Sequence, residues 1–139
     1  MAFSLKKSLI LPILLICFIN CDNKKLFNEI VDVDETNLDL VYRESDNLLF
    51  FFFQDNCAQC LIFKNVITNI FKEIRKLNLN INLIRIDITE NSKMGSLFEI
   101  DNVPNVKLVE TKFNMTSVYK GDPNVNSIIE FLRQLKDII

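Results

Sequence analysis

Leu48-Leu49-Phe50-Phe51-Phe52-Phe53 runs through Gln54-Asp55-Asn56 into Cys57-Ala58-Gln59-Cys60, and the reading of this stretch decides the fold. Six apolar residues in a row show no alternation, so the run reads as a central strand buried on both faces. The polar Gln54-Asp55-Asn56 closes it. Beyond that point the period changes. Leu61, Phe63, Val66, Ile67, Ile70, Phe71, Ile74 and Leu77 recur at intervals of three and four, with Lys64, Asn65, Asn69, Lys72, Glu73 and Lys76 between them. This spacing predicts a long amphipathic helix over 57–77, uninterrupted by Gly or Pro, with both cysteines at its first turn.

Working outward, Ile81–Ile88 alternates and is β-branched, so it reads as a second strand, with Asp87 a strand-end residue rather than a catalytic acid. Residues 91–100 suit a short helix. Val106–Thr111 and Ser117–Lys120 read as a hairpin turning near 112–114. Gly121 reads as a tight turn. Asp122 as N-cap and Pro123 at the first helical position then open a last helix striped by Val125, Ile128, Ile129, Leu132 and Leu135. Upstream, the irregular apolar positions of Lys24–Asp46 supply a short first strand and helix. A β-α-β start requires a parallel crossover and the hairpin adds antiparallel strands. The expected class is α/β, a central mixed sheet flanked by helices, in one domain without repeats or linkers.

The first residues read differently. Lys6 and Lys7 precede an apolar stretch, Leu9–Ile19, that turns abruptly polar at Asn20. The stretch is shorter than the ~20 residues of a membrane-spanning helix, and Pro12 interrupts it. Residues 1–21 are therefore expected to be a signal peptide for the secretory pathway, leading to the endoplasmic reticulum lumen or to secretion. Phe18-Ile19-Asn20 lacks the small residues of a cleavage site, and the stretch ends at Cys21. The alternative is a bacterial lipoprotein signal, with Cys21 lipidated and the domain anchored to the cell envelope. A membrane is a partner only in that case, or if the signal stays uncleaved.

Composition narrows the chemistry. The 139 residues carry 16 basic and 18 acidic side chains, and without Lys6 and Lys7 the basic count is 14. No Lys/Arg cluster stands out, which argues against a nucleic-acid partner. The chain contains no histidine, and this excludes Ser-His and Cys-His catalysis and most zinc sites. Past the leader the cysteines reduce to one C-x-x-C pair. A helix N-terminus presents unpaired N–H groups and a positive dipole end, which favour a thiolate at Cys57. Cys60, one turn on, is close enough to resolve a mixed disulfide. A structural disulfide or inert thiol pair is the bland reading, although so short a loop is a poor staple. Zinc lacks a second pair of ligands.

The run Leu48–Cys60, with Arg85-Ile86-Asp87-Ile88, Asn102-Val103-Pro104-Asn105-Val106 and Val118-Tyr119-Lys120-Gly121, resembles the thioredoxin superfamily, in particular its protein disulfide isomerase branch. The resemblance covers roughly Leu48–Leu135 and implies a thioredoxin-like domain over 22–139. It implies that Cys57 and Cys60 are catalytic, flanked by the inner pair Ala58 and Gln59. It further implies that Pro104 is a cis-proline facing them, and that Val103 and Pro104 border the substrate groove. Departures are plain. Asn56 replaces the family's tryptophan, Ala58-Gln59 the Gly-His or Gly-Pro pair, Phe51 its buried acid, and Pro123 the isomerases' arginine.

The expected function is that of a thiol-disulfide oxidoreductase acting on protein substrates with thiols or disulfides, without organic cofactor or metal. The alternative is a catalytically weak thioredoxin-like module that binds unfolded chains or a partner protein. Asn114-Met115-Thr116 is an N-glycosylation sequon, usable at Asn114 in a eukaryotic secretory pathway.

Overall fold

The computed structural model describes residues 25–136, in the order β1 (Val31–Asp32), α1 (Leu38–Glu44), β2 (Asn47–Phe53), α2 (Ala58–Lys76), β3 (Asn82–Asp87), α3 (Ser92–Leu97), β4 (Asn105–Glu110), β5 (Met115–Tyr119) and α4 (Val125–Lys136). The leader, Cys17 and Cys21 lie outside the described residues.

Five strands form one mixed sheet in the order β1-β3-β2-β4-β5. β2 lies at its centre, parallel to β3 with Phe51 opposite Arg85, and antiparallel to β4 with Phe51 opposite Val106. All seven residues of β2 are buried. Successive side chains of a strand point to opposite faces, so the phenylalanine run feeds two cores. Leu49, Phe51 and Phe53 join Phe63, Ile67 and Ile70 of α2 and Ile128 and Leu132 of α4 on one side. Leu48, Phe50 and Phe52 join Val41 of α1 and Met94 of α3 on the other. Each face is reinforced by ring contacts, with Phe51 stacked on Phe63 at 5.3 Å and Phe50 tilted on Phe98 at 4.9 Å. The fold is thus an α/β layer structure of the expected class.

Several local expectations give way. The buried stripe of α2 is Cys60, Phe63, Ile67, Ile70 and Ile74. Leu61, one residue and about 100° further round the helix, is therefore turned outward and is 58% exposed, as is Ile62 at 61%. The last helix is capped not by Asp122 but by Asn124, whose Oδ1 accepts the Ser127 N–H at 2.9 Å. Asp122 is otherwise engaged, because its carbonyl accepts the Tyr119 hydroxyl and the Asn124 N–H. Pro123 accordingly lies outside the helix. Gly121 has no positive φ. A Cβ there would meet the Tyr119 ring, with Cζ 2.7 Å from that position, so the ring would have to shift. β5 also starts two residues earlier than expected, at Met115, after a turn in which Asn114 takes φ 51°.

One buried polar side chain ties the N-terminal segment to the sheet. Asn82 is 2% exposed. Its Oδ1 accepts the Phe27 N–H at 2.7 Å, and its Nδ2 donates to the Lys25 carbonyl and the Ser45 hydroxyl. Arg75 of α2 reinforces the tie by donating to the Phe27 and Ile81 carbonyls, and burial lowers its pKa from the ordinary arginine value.

Asn82→Ala strands these partners, and chemical denaturation is expected to show a loss of about 2–3 kcal/mol. The orientation of α2 sets a second test. Replacing Leu61 and Ile62 with serine is expected to change stability by no more than about 0.5 kcal/mol, whereas Phe63→Ala costs about 3–5 kcal/mol.

Candidate active site

β2 ends at Phe53, and the exposed Gln54-Asp55-Asn56 carries the chain over the carboxyl edge of the sheet to Cys57. Cys57 is the N-cap of α2, with extended backbone (φ −105°, ψ 109°). The Cys60 N–H donates to Cys57 Sγ at 3.1 Å, and the Leu61 N–H donates to the Cys57 carbonyl at 3.3 Å. A sulfur thus takes the place that a serine or aspartate oxygen usually holds at a helix start, satisfying one otherwise unpaired amide. The two cysteines form a disulfide, with Cα atoms 5.1 Å apart.

The pair is asymmetric in exposure. Cys60 is 1% exposed and belongs to the α2 side of the core, whereas Cys57 is half-buried at the edge. Ala58 and Gln59 between them face outward. Their exposure follows from the helix period, since only the first and fourth residues of the turn lie towards the sheet.

Val103 and Pro104 meet the pair from the loop before β4. The Val103–Pro104 peptide bond is cis, and the Val103 carbonyl oxygen lies 3.9 Å from Cys57 Sγ. Antiparallel pairing of β4 with β2 brings the start of β4 beside the end of β2, so the two loops meet above the same sheet edge. Four positions singled out in the sequence, Cys57, Cys60, Val103 and Pro104, come together here. Asn114 does not, and lies exposed in the β4–β5 turn. Asp87 has its Oδ1 on the Thr89 N–H.

Some neighbours were not singled out by sequence reasoning. Lys64 Nζ lies 4.9 Å from the centroid of the Phe53 ring and 3.9 Å from Asp55 Oδ1. The i,i+4 spacing from Cys60 was the signal that would have placed Lys64 here. The same spacing sets Leu61 over Cys57, so Ala58, Gln59, Leu61, Ile62 and Asn65 make an exposed, uncharged strip on the first turns, with the partly exposed Lys64 beside it. Where the resemblance sets a buried acid, Phe51 is 0% exposed and stacks between Phe53 and Phe63, with centroids at 5.6 and 5.3 Å. Among the described residues no group of three or more His, Cys, Asp or Glu is placed to hold a metal ion. The arrangement can present one sulfur to an incoming sulfur and keep a second beneath it.

Comparison with known proteins agrees with this geometry. The family model described as Thioredoxin matches residues 21–134. Endoplasmic reticulum resident protein 44 of Bos taurus is 28% identical over 112 residues, covering 78% of this chain and 27% of that protein. Its Homo sapiens counterpart is 27% identical over 115 residues, with the same coverage. The chain thus spans about a quarter of the length of these relatives. Among solved structures, crystal form I of the human protein superposes with a TM-score of 0.71 at 22% identity, covering 81% of this chain and 30% of that one. The first thioredoxin domain of mouse protein disulfide-isomerase A4 gives 0.69 at 21% identity, covering 82% and 81%. With the fold, the strand-to-helix position of its C-x-x-C pair and the family model all in agreement, the chain belongs to the thioredoxin family.

Proposed function

We propose that this protein is a thiol-disulfide oxidoreductase that exchanges disulfides with cysteine-bearing protein substrates through Cys57 and Cys60. The observation that carries the reading is the placement of Cys57 Sγ, half-exposed at the start of α2 and hydrogen-bonded by the Cys60 amide. A thiolate at that atom gains a charge-assisted hydrogen bond and the positive end of a 19-residue helix. Cys57 is then the attacking sulfur and Cys60 the resolving one. Val103 and Pro104 border the groove for an extended substrate segment. The uncharged face bearing Leu61 and Ile62 suits apolar stretches of incompletely folded chains.

Similarity to endoplasmic reticulum resident protein 44, together with the leader pattern of residues 1–21, supports a place in the secretory pathway. In that setting the domain comprises residues 22–139 and the exposed Asn114 is a glycan acceptor. The bacterial alternative, a lipid on Cys21, rests on the leader alone.

Phe51 gives the second reading its footing, since no proton carrier stands at that position. In that reading the fold binds partner proteins while the pair stays idle. Insulin reduction by dithiothreitol separates the two. The protein is expected to accelerate it severalfold and Cys57→Ser to abolish the acceleration. Equal rates for the wild type, the variant and the buffer would contradict the oxidoreductase reading.

A further inference from the structure

We infer that this site holds a substrate cysteine as a long-lived mixed disulfide on Cys57, because among the described residues no group is placed beside Cys60 to accept the proton that release requires. The inference rests on the oxidoreductase reading. In the first step the reduced Cys57 thiolate attacks a substrate disulfide. One Cys57–substrate S–S bond forms, the substrate bond breaks, and one substrate thiolate leaves. In the second step Cys60 must lose its S–H proton. Its sulfur then attacks Cys57 Sγ, the Cys57–Cys60 bond forms, and the second substrate sulfur leaves as a thiolate that takes up a proton from water. Two electrons pass from the cysteine pair to the substrate. The first step uses an exposed sulfur at a helix start. The second needs a base beside a sulfur that water hardly reaches.

Cys60 is 1% exposed, and its N–H donates to Cys57 Sγ. It shares its buried cluster with Phe51, Phe53, Phe63 and Ile67. A thiol enclosed by hydrocarbon ionises reluctantly, because the charged form loses its solvation. The ionisable groups of the surrounding elements are engaged elsewhere. Asp55 and Lys64 face each other across an open cleft that Asp87 also lines, and Asp87 holds the Thr89 amide. Arg85 makes a two-pronged pair with Asp32. The Tyr119 hydroxyl donates to the Asp122 carbonyl, and burial pushes its pKa above the ordinary value. Lys107 points to the other face of the sheet, donating to the Phe98 carbonyl. Glu110 lies at the opposite end of β4, paired with Asn47. The β2 residue Phe51 shares the buried cluster of Cys60 and brings to it a hydrocarbon ring, stacked between Phe53 and Phe63, in place of an ionisable group.

Step by step, the outcome is a site that captures quickly and releases slowly, with hydroxide as the proton acceptor of last resort. The test mixes the reduced full chain with glutathione disulfide, quenches with acid at intervals, and follows the glutathione adduct by mass spectrometry of the 44–64 tryptic peptide. The adduct is expected to accumulate on most molecules and be absent from Cys57→Ser. Its decay is expected to speed up about tenfold per pH unit between pH 6 and 8 and to vanish in Cys60→Ser. Prompt release of both glutathiones without accumulation, or a decay independent of pH, overturns the inference and leaves the oxidoreductase reading intact. Neither adduct nor released glutathione overturns both.

Discussion

The hydrogen bond from the Cys60 amide to Cys57 Sγ joins the fold to its chemistry. A helix start has amides that need an acceptor, and here the acceptor is a sulfur on the rim of the sheet. The same helix that relies on the sulfur for its cap therefore holds that sulfur in place and favours its charged form. Remove the helix and Cys57 is an ordinary thiol. Shift the helix by one residue and the cap is Asn56 or Ala58, with neither sulfur in the capping place.

That register is set further back, by β2. A strand with no exposed residue has a single suitable position, between two other strands and beneath helices on both faces. Its end is thereby fixed at the carboxyl edge of the sheet, and the three-residue loop that follows leaves little choice in where α2 begins. β4 runs antiparallel beside it, which places Val103 and Pro104 opposite the cysteines. Burial of the phenylalanines also has a chemical consequence. The same packing that stabilises the sheet gives the cluster around Cys60 a phenylalanine ring at position 51 instead of an ionisable group. A sheet this apolar at its centre makes a firm platform and a poor proton channel.

Much of this was legible in the residues because the signals were strong and local. The unbroken run over 48–53 can be satisfied only at the centre of a sheet, and the three-four spacing beyond it only by a helix. The C-x-x-C lay at the junction whichever residue began the helix. What escaped was decided by contacts between residues distant in sequence or by small angular offsets. Leu61 fits a loose three-four pattern, yet the inward stripe runs through Cys60 and Phe63 and turns it to solvent. Asp122 is as good a cap as Asn124 in isolation, and the Tyr119 hydroxyl on its carbonyl helps decide between them. Gly121 is marked by the nearness of that same tyrosine ring rather than by its own backbone angle. A buried asparagine in the middle of a sheet, such as Asn82, has no periodic signature at all, since its partners include main-chain groups over fifty residues away and the Ser45 hydroxyl.

The most direct test of the account is the rate at which iodoacetamide alkylates each cysteine of the reduced protein across pH 5 to 9, read against free cysteine. The helix start predicts that Cys57 reacts at pH values where free cysteine is nearly inert, while Cys60 is modified slowly throughout. A Cys57 that followed the free amino acid at every pH, or that reacted no faster than Cys60, would contradict it.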